Sequence, residues 1–207
     1  WAKLDALYVM AGADEQAARR NWIADVYNLT AVNSPSFTAD RGFAGDGSTS
    51  YLLSGFNPTA AVAAKFTQND AHMGLWPLTE TLNAAATTSE FGAGFAYIAL
   101  NSAPLNVIGR SNSSAGVTLA AAGNWLKHLV WTRSEAALWE SYADGVDSGG
   151  GTTTSSIDNA EFRVCGRSGA FGVNRNAVAH FGGNLTASEV AEMRAAIAAY
   201  LSAVGAI

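Results

Sequence analysis

The sequence predicts an all-β sandwich with a short helix near its N-terminus and a longer helix at its C-terminus. The chain has 207 residues, which suits a sandwich of two sheets, and 49% of them are hydrophobic, which is ample for a buried core. Between residues 25 and 60, turn residues recur about every 8–12 positions, a spacing that favours a sandwich or barrel over an α/β fold. No internal repeat or linker interrupts this pattern, so we predict one domain over residues 1–207.

The N-terminal part begins with an apolar run at residues 4–10, which fits either a strand or a helical turn. Asp14 then precedes good helix formers, so we predict a short helix over residues 14–21 with Asp14 as its N-cap. Short extended segments separated by Gly, Pro, Asn and Asp follow. These predicted strands are Tyr27–Val32, Pro35–Thr38, Arg41–Phe43 and Ser50–Leu53.

The middle of the chain continues the β pattern. The predicted strands are Phe66–Trp76, Phe95–Asn101, Leu105–Arg110 and, more weakly, Gly116–Ala121. Residues 77–94 show no period and are predicted to form a loop or a ragged hairpin. The segment 148–156, SGGGTTTSS, is predicted to be a flexible hairpin connection because Gly and Ser impose little backbone order.

The C-terminal helix has the clearest local signals. Thr186 and Glu189 have capping-box spacing, and Gly205 stands where a left-handed residue ends a helix. We therefore predict a helix over residues 187–203, whose apolar face covers the sandwich or a sister subunit. That face contains Val190, Met193, Ile197, Tyr200, Leu201 and Val204.

The stretch Trp125–Asp147 reads as two strands joined by a polar turn and closed by an Asp-Gly corner. In the first strand, alternation places Leu129 and Trp131 on one face and His128 and Val130 on the other. This order of a Trp/His-Val strand and a Tyr-x-Asp-Gly hairpin resembles the laminin-G-like and concanavalin A-like lectin and glucanase families. The resemblance implies a concanavalin A-like jelly roll.

A second resemblance covers nearly the whole chain. The stretches 4–58 and 179–205 are similar to a domain that recurs in structural proteins of tailed bacteriophages and prophages. This similarity implies a virion structural or adhesion domain, in a tail fibre, a receptor-binding tip or a capsid-surface spike. Its implied partners are host cell-surface polysaccharide, other virion proteins and copies of the same chain. The resemblance transfers no functional residues.

Composition excludes several classes of partner. The net charge is −5 and the twelve basic residues are scattered, so the clustered basic footprint that nucleic acids require is missing. No apolar run of about 18 residues is present, so we expect no membrane insertion. The single cysteine, Cys165, forms no intrachain disulfide and is expected to be a half-buried, inert thiol.

The alternative of a glycan-degrading enzyme on this fold requires paired carboxylates across the sugar. The nearest clusters, Glu135 with Glu140 and Asp144 with Asp147, lie at hairpin ends, and the Glu-x-Asp-x-x-Glu strand of related glucanases is absent. A serine hydrolase is also disfavoured, since there is no Gly-x-Ser-x-Gly elbow and the three histidines are far apart in sequence. We therefore predict no catalytic residues.

Two loops contain oxygen ligands that Ca²⁺ accepts, the segment from Asp40 to Asp46 and the corner from Asp144 to Asp147. Neither has the dense acidic spacing of an EF-hand, so both are interpreted as ordinary turns. We predict no metal site and no cofactor, with a structural calcium ion as an alternative that no clear motif supports.

Sugar binding without cleavage requires exposed aromatic rings together with hydrogen-bonding side chains. We predict that Trp76 and Trp139 are partly exposed and contact the ligand, with Arg110, Arg133 and Arg167 gathered at one rim. The leading hypothesis is thus a lectin-like virion domain that binds glycan without cutting it. The alternatives are a glycan-degrading enzyme and an architectural module without a ligand.

Overall fold

A computed structural model describes residues 1–79, 81, 88–102, 105–114, 117–119 and 126–207. In these residues two antiparallel sheets pack face to face as a jelly-roll-like sandwich, which confirms the predicted all-β fold class. The first sheet contains, in spatial order, β13 (Val146–Thr152), β12 (Leu138–Ala143), β11 (Leu129–Arg133), β6 (Ala71–Pro77), β17 (Arg175–Gly182), β4 (Gly42–Ala44) and β3 (Ser36–Thr38), and β1 (Leu4–Val9) also pairs with β17.

The second sheet lies on the other side of the core. Its strands, in spatial order, are β10 (Val117–Leu119), β9 (Leu105–Arg110), β8 (Tyr97–Ser102), β7 (Thr88–Gly92), β14 (Arg163–Val164), β5 (Tyr51–Leu53) and β2 (Thr30–Val32). A small hairpin, β15 (Gly166–Arg167) and β16 (Ala170–Phe171), packs against β7. The two helices are α1 (Glu15–Ala18) and α2 (Ala187–Ala203).

Five phenylalanine rings form the centre of the core between the sheets, with neighbouring ring centroids 4.5–6.4 Å apart. They come from both sheets and from the loops between them: Phe56, Phe66, Phe91, Phe162 and Phe181. Tilted and edge-on contacts of this kind add about 0.5–1.5 kcal/mol per pair beyond the area that the rings bury. These five rings therefore hold the two sheets together.

The hairpin of β11 and β12 is formed as predicted, although Trp125 lies outside the described residues. Trp131 points into the core, where a Cβ added to Gly109 of the opposite sheet would lie 2.0 Å from its indole ring. Asp144 and Gly145 have φ values of 53° and 78°, the pair of left-handed residues that a two-residue type I′ turn requires. Trp131 and Gly109 thus fix how the sheets face each other.

Helix α2 covers the outer face of the first sheet, and its bounds match the predicted helix at residues 187–203. Thr186 and Glu189 form the predicted capping box, and Gly205 has the left-handed φ of 70°. The buried face of the helix contains Val190, Met193, Ile197 and Leu201. This second apolar layer encloses the outward-facing side chains of the sheet below it. No helix among the described residues is long and apolar enough to cross a membrane.

Several local predictions differ from the structure. Residues Thr88–Gly92, in the stretch predicted as a loop or a ragged hairpin, form the buried strand β7 of an irregular hairpin with β8. The Gly-rich segment predicted as a flexible connection supplies most of the edge strand β13, and Cys165, expected to be half-buried, is fully buried. Strand β13 forms because its backbone pairs with β12, which requires no side chains. The first helix ends at Ala18 instead of residue 21, since Asn21 leaves it to bond the backbone of β1.

Candidate functional site

The two tryptophans predicted to contact a ligand are buried, so the prediction of partial exposure is wrong for both. Trp76 is 2% exposed and lies beneath α2, where its ring stacks on His128 with centroids 5.6 Å apart. Trp139 is 7% exposed and belongs to the core between the sheets. Both rings are packed by the protein itself, and neither offers an open face to a sugar.

Arg133 is also fully buried and is occupied by internal hydrogen bonds. Its Nε donates to the carbonyl of Ser111 at 2.7 Å, and one Nη donates to the carbonyls of Glu135 and Ala136 at 3.1 and 3.0 Å. The other Nη donates to Ser113 Oγ at 2.7 Å. This guanidinium therefore holds the turn after β11 in place, and the structure does not bring it to a rim with Arg110 and Arg167.

Arg110 and Arg167 do meet, at the ring of Tyr97 on the outer face of the second sheet. The guanidinium carbon of Arg110 lies 5.1 Å from the Tyr97 ring centroid, and that of Arg167 lies 4.7 Å from it. The two cations therefore lie at most about 10 Å apart. Cation–π contacts of this kind contribute about 0.5–1 kcal/mol each at exposed sites. The sequence places these two arginines 57 positions apart, and the packing of the β15–β16 hairpin against the second sheet brings them together.

A third arginine extends this surface. Tyr97, Gly92 and Arg163 are directly opposed on neighbouring strands and share one face, and Gly92 places no side chain between the other two. Arg163 stacks over Tyr51, with its guanidinium carbon 4.3 Å from the ring centroid. We call this surface the arginine–tyrosine face, and it consists of Tyr51, Tyr97, Arg110, Arg163 and Arg167.

A second surface contains exposed aromatic rings beside α2. Trp1 is 69% exposed and Trp22 is 55% exposed, and the ring of Trp22 meets Tyr200 edge-on at 5.7 Å. Between them is a cleft of about 150 Å³, floored by Leu7 and Ile197. We call this surface the tryptophan cleft, and it is lined by Trp1, Leu7, Val9, Trp22, Val178, Ala196, Ile197 and Tyr200.

The cleft shares Trp1 and Ala196 with a larger cavity of about 420 Å³, which is lined by both apolar and charged side chains. There Lys3 Nζ lies 2.6 Å from Glu189, and Glu192 lines the same cavity. Burial alone would raise the pKa of Glu189, but hydrogen bonds from Lys3 and Thr186 outweigh it and hold the pKa below its ordinary value. Glu189 is therefore a carboxylate that accepts hydrogen bonds, and it lacks the raised pKa of a general acid.

The acidic turns predicted as ordinary turns are occupied by their own backbone. Asp46 accepts hydrogen bonds from the backbone N–H groups of Ser48, Thr49 and Ser50, and these bonds hold its pKa far below its ordinary value. Asp144 accepts from the backbone of His128 at 3.1 Å. In the described part of the chain, no three His, Cys, Asp or Glu side chains are grouped as a metal site would require.

The three histidines, distant in sequence, form one buried chain of hydrogen bonds under α2. His72 Nδ1 donates to the carbonyl of Gly183 at 2.5 Å, so its Nε2 accepts from His180 Nδ1 at 3.0 Å. His180 Nε2 in turn accepts from His128 Nε2 at 2.8 Å. Burial lowers the pKa of His72 to about 4 and that of His128 to about 3, and it takes the pKa of His180 well below its ordinary value. The three hydrogen-bonded histidines are therefore neutral and buried from solvent, which is typical of a packing role.

Sequence reasoning missed Trp22, Tyr200, Tyr97 and Arg163. Alternation along β8 already separates Tyr97 from the core residue Ile98, so the face of Tyr97 was readable from its strand. No comparable signal marks Trp22, which lies in an irregular loop where exposure depends on what packs beside it.

No protein-family model matches the sequence, and no sequence among the curated proteins matches it. Solved structures do match the fold. Domain 4 of AbnA, a GH43 extracellular arabinanase from Geobacillus stearothermophilus solved with arabinotriose, is similar with a TM-score of 0.59 and 20% identity, over 93% of this chain and 98% of that domain.

Two further similarities involve parts of larger proteins. Trypanosoma rangeli sialidase matches with a TM-score of 0.68 and 15% identity over 94% of this chain, which spans 33% of the sialidase. The binding domain of botulinum neurotoxin serotype D matches with a TM-score of 0.56 and 9% identity over 94% of this chain, which spans 52% of that domain. At these identities the likeness establishes the shared fold.

Proposed function

We propose that this chain is a lectin-like domain that binds glycan without cutting it, and that the tryptophan cleft is its sugar-binding site. The carrying observation is the pair of exposed indole rings, Trp1 and Trp22, beside a cavity of about 420 Å³ whose rim holds Lys3, Glu189 and Glu192. Indole faces stack on the C–H groups of sugar rings, and the charged rim bonds to hydroxyl groups. The tryptophan cleft itself has a volume of about 150 Å³, and the neighbouring cavity of about 420 Å³ lies within the usual range of about 300–1,000 Å³ for small-ligand sites.

The fold supports the same proposal. Two of the similar structures contain a sugar or belong to a sugar-processing protein: the arabinanase domain, solved with arabinotriose, and the sialidase. We also propose that the sandwich is concanavalin A-like, which the hairpin of β11 and β12 supports. Because fold alone does not determine function, the cleft carries the proposal and the fold adds to it.

The absence of catalysis is part of the proposal. A glycosidase requires one carboxylic acid with a raised pKa near a second carboxylate. Glu189, the carboxylate at the rim whose pKa is shifted, has a lowered pKa, and Asp144 is engaged by the turn of its own hairpin. These features favour binding over hydrolysis.

The test is binding of the purified chain to a panel of immobilised polysaccharides, neutral and acidic, with reducing ends measured in parallel. We expect retention on at least one polysaccharide and no new reducing ends. Trp22→Ala should weaken binding about tenfold, equivalent to about 1.4 kcal/mol, and Trp22→Phe should weaken it less because a ring face remains. Val62→Ala is the matched control, since Val62 is an apolar side chain that is 92% exposed and lies outside the cleft.

Retention on no polysaccharide would reject the binding function and favour an architectural module. New reducing ends would reject the non-catalytic part. Equal binding by Trp22→Ala and the wild type would show that the sugar-binding site lies outside the tryptophan cleft.

We further propose that the domain is displayed on the surface of a phage or phage-like particle, in a tail fibre, receptor-binding tip or capsid spike. There it would contact host cell-surface polysaccharide, other virion proteins and copies of itself. This location is what the resemblance of stretches 4–58 and 179–205 to a domain of phage structural proteins implies. Labelling purified particles with an antibody against the domain tests it, and particles without label would reject it.

A further inference from the structure

We propose that the arginine–tyrosine face is a second binding site, which takes the carboxylate or sulfate groups of an acidic polysaccharide. This inference rests on the proposed glycan-binding function but concerns the opposite sheet and a different ligand chemistry. It is carried by three guanidinium groups that lie on one surface and form no ion pair or hydrogen bond with any residue in the described part of the chain.

The first step is the missing counter-charge. Among the described residues, no hydrogen bond and no ion pair within 4.0 Å involves the guanidinium of Arg110, Arg163 or Arg167. The Nε atom of each is buried without a hydrogen-bond partner. Each guanidinium has five N–H donors, so these side chains retain a large unused capacity for acceptors.

The acidic group that interacts electrostatically with Arg110 does not fill this need. Asp158 is close enough for Arg110 to lower its pKa, but burial has the larger effect and raises it overall. Its carboxylate accepts backbone hydrogen bonds from Gly94, Phe95 and Ala96. Asp158 is therefore committed to closing a loop, and Arg110 keeps its donors.

The second step is the way in which the cations are held. Arg110 and Arg167 both lie against Tyr97, which is 6% exposed and thus fixed in the sheet. Two cations within about 10 Å of each other repel unless an anion lies between them. A bound carboxylate or sulfate removes this repulsion and meets guanidinium groups that are already ordered, which lowers the entropy cost of binding.

The third step is the spacing, which indicates a polymer. Arg163 is opposed to Gly92, which is opposed to Tyr97, so the backbones of Arg163 and Tyr97 are two strand spacings apart, or about 10 Å. Arg163 stacks on Tyr51 of β5, on the side of its strand away from β8, so its guanidinium is anchored away from the Arg110–Arg167 pair, which favours a second anion there. A chain that carries an acidic group at intervals can occupy the Arg110–Arg167 pair and Arg163 together.

Charge and size argue against other polyanions. Three arginines are fewer than the 6–10 phosphate contacts typical of DNA-binding proteins and fewer than the 4–8 basic residues of anionic-lipid sites. The whole chain has a net charge of −5, so its remaining surface repels nucleic acid and acidic membranes. An acidic polysaccharide, with neutral sugar units between its charges, fits a small cationic patch better.

The experiment measures binding of the chain to polygalacturonate, which carries carboxylates, to dextran sulfate, which carries sulfates, and to neutral dextran. The variants are Arg110→Gln, Arg163→Gln and Arg167→Gln, singly and combined. Arg20→Gln is the matched control, because it removes the same charge at an exposed site where Arg20 pairs with Asp25. We expect each single variant to lose about five- to tenfold affinity for the acidic polymer, or about 1–1.4 kcal/mol, and the triple variant to lose all measurable binding.

Two further readouts separate this site from general charge effects. Added salt should weaken wild-type binding to the acidic polymer, with a shallower dependence for each arginine removed. Tyr97→Phe should retain binding because the ring still supports both guanidinium groups, whereas Tyr97→Leu should lose it. Circular dichroism of each variant verifies that the sheet is folded.

The outcomes distinguish this inference from the proposed function. Binding to neutral but not to acidic polysaccharides would overturn the inference and leave the tryptophan cleft intact. Acidic binding that survives the triple variant would place the site elsewhere and overturn it too. Equal binding to DNA or to vesicles of anionic lipid would overturn the assignment to a glycan, and preference between the carboxylated and sulfated polymers would identify the anion.

Discussion

Arg133 shows how a residue selected for its chemistry can have a structural role. It was predicted as a ligand contact because it follows a strand in a polar turn, yet all of its hydrogen bonds in the structure go to neighbouring carbonyl and hydroxyl groups. A buried guanidinium that satisfies several carbonyl groups is costly to replace, since each carbonyl left without a donor costs free energy.

We predict that Arg133→Lys destabilises the domain by about 2–4 kcal/mol, because one ammonium cannot reach acceptors on both sides of the side chain. Urea unfolding followed by tryptophan fluorescence measures the change. Arg20→Lys, at an exposed site, should change stability by less than about 0.5 kcal/mol. A loss below about 1 kcal/mol for Arg133→Lys would show that the hydrogen bonds in the turn are not limiting.

The exposure of single tryptophans was also difficult to predict from the sequence. Trp76 looks exposed in the sequence because Pro77 follows it, but α2, more than 100 positions later, covers its face. Trp22 lies in a loop with no period and is 55% exposed. Composition led to the hypothesis of aromatic binding, but which tryptophan is exposed depends on the surface that the last helix occupies.

At the scale of single elements, prediction succeeds where the signals are local. Helix α2 was predicted with its bounds because its cap, apolar spacing and terminal glycine all lie within one stretch of sequence. Strand β13 was missed, and β7 was predicted only as part of a loop or a ragged hairpin, because their order comes from pairing with partner strands and not from their own residues. The same limit applies to the arginine–tyrosine face, whose members are joined by strand register and by the packing of the β15–β16 hairpin.

The capping box of α2 gives a prediction for this element. Thr186 Oγ1 accepts from the backbone of Glu189, and the Glu189 side chain accepts from the backbone of Thr186, so Thr186→Ala should cost about 1 kcal/mol in the free energy of unfolding. Ser188→Ala, in the same exposed turn, is the control and should cost less than about 0.5 kcal/mol. Equal losses would mean that packing against the sheet, and not the cap, determines where the helix starts.

At the scale of the whole molecule, the buried histidine chain makes stability depend on pH. The folded pKa values of His72 and His128, about 4 and about 3, lie below the value of about 6.5 for an unfolded histidine. The unfolded chain therefore binds protons first, and the stability supplied by neutral histidines is complete above pH 6.5 and is lost as the pH falls toward 4. In this pH range, each buried histidine lowers the free energy of unfolding by up to about 1.4 kcal/mol for each unit by which the pH falls.

The pKa values of buried Glu90 and Asp158 are raised, so these carboxyl groups lower the stability of the fold as the pH rises above about 4.5. Because this effect opposes that of the histidines, the protonation of the histidines is best measured directly. We predict that NMR titration of the folded domain shows no imidazole protonation from pH 8 down to about 5, while the urea-unfolded chain titrates near 6.5. A histidine of the folded domain that titrates above about pH 5.5 would show that water reaches the three hydrogen-bonded histidines under α2.

Strand β13 has a consequence for how copies of the molecule meet. As the last strand of its sheet, it leaves backbone groups free to bond a neighbour, yet its register against β12 is broken between Ser141 and Tyr142. Gly149 has a φ of 118°, and its N–H already donates to the Asp147 side chain at 2.7 Å. A second copy that approaches β13 meets a bent strand edge on which the Gly149 N–H already donates a hydrogen bond. Neighbouring copies are therefore hindered from pairing edge to edge into a continuous fibre.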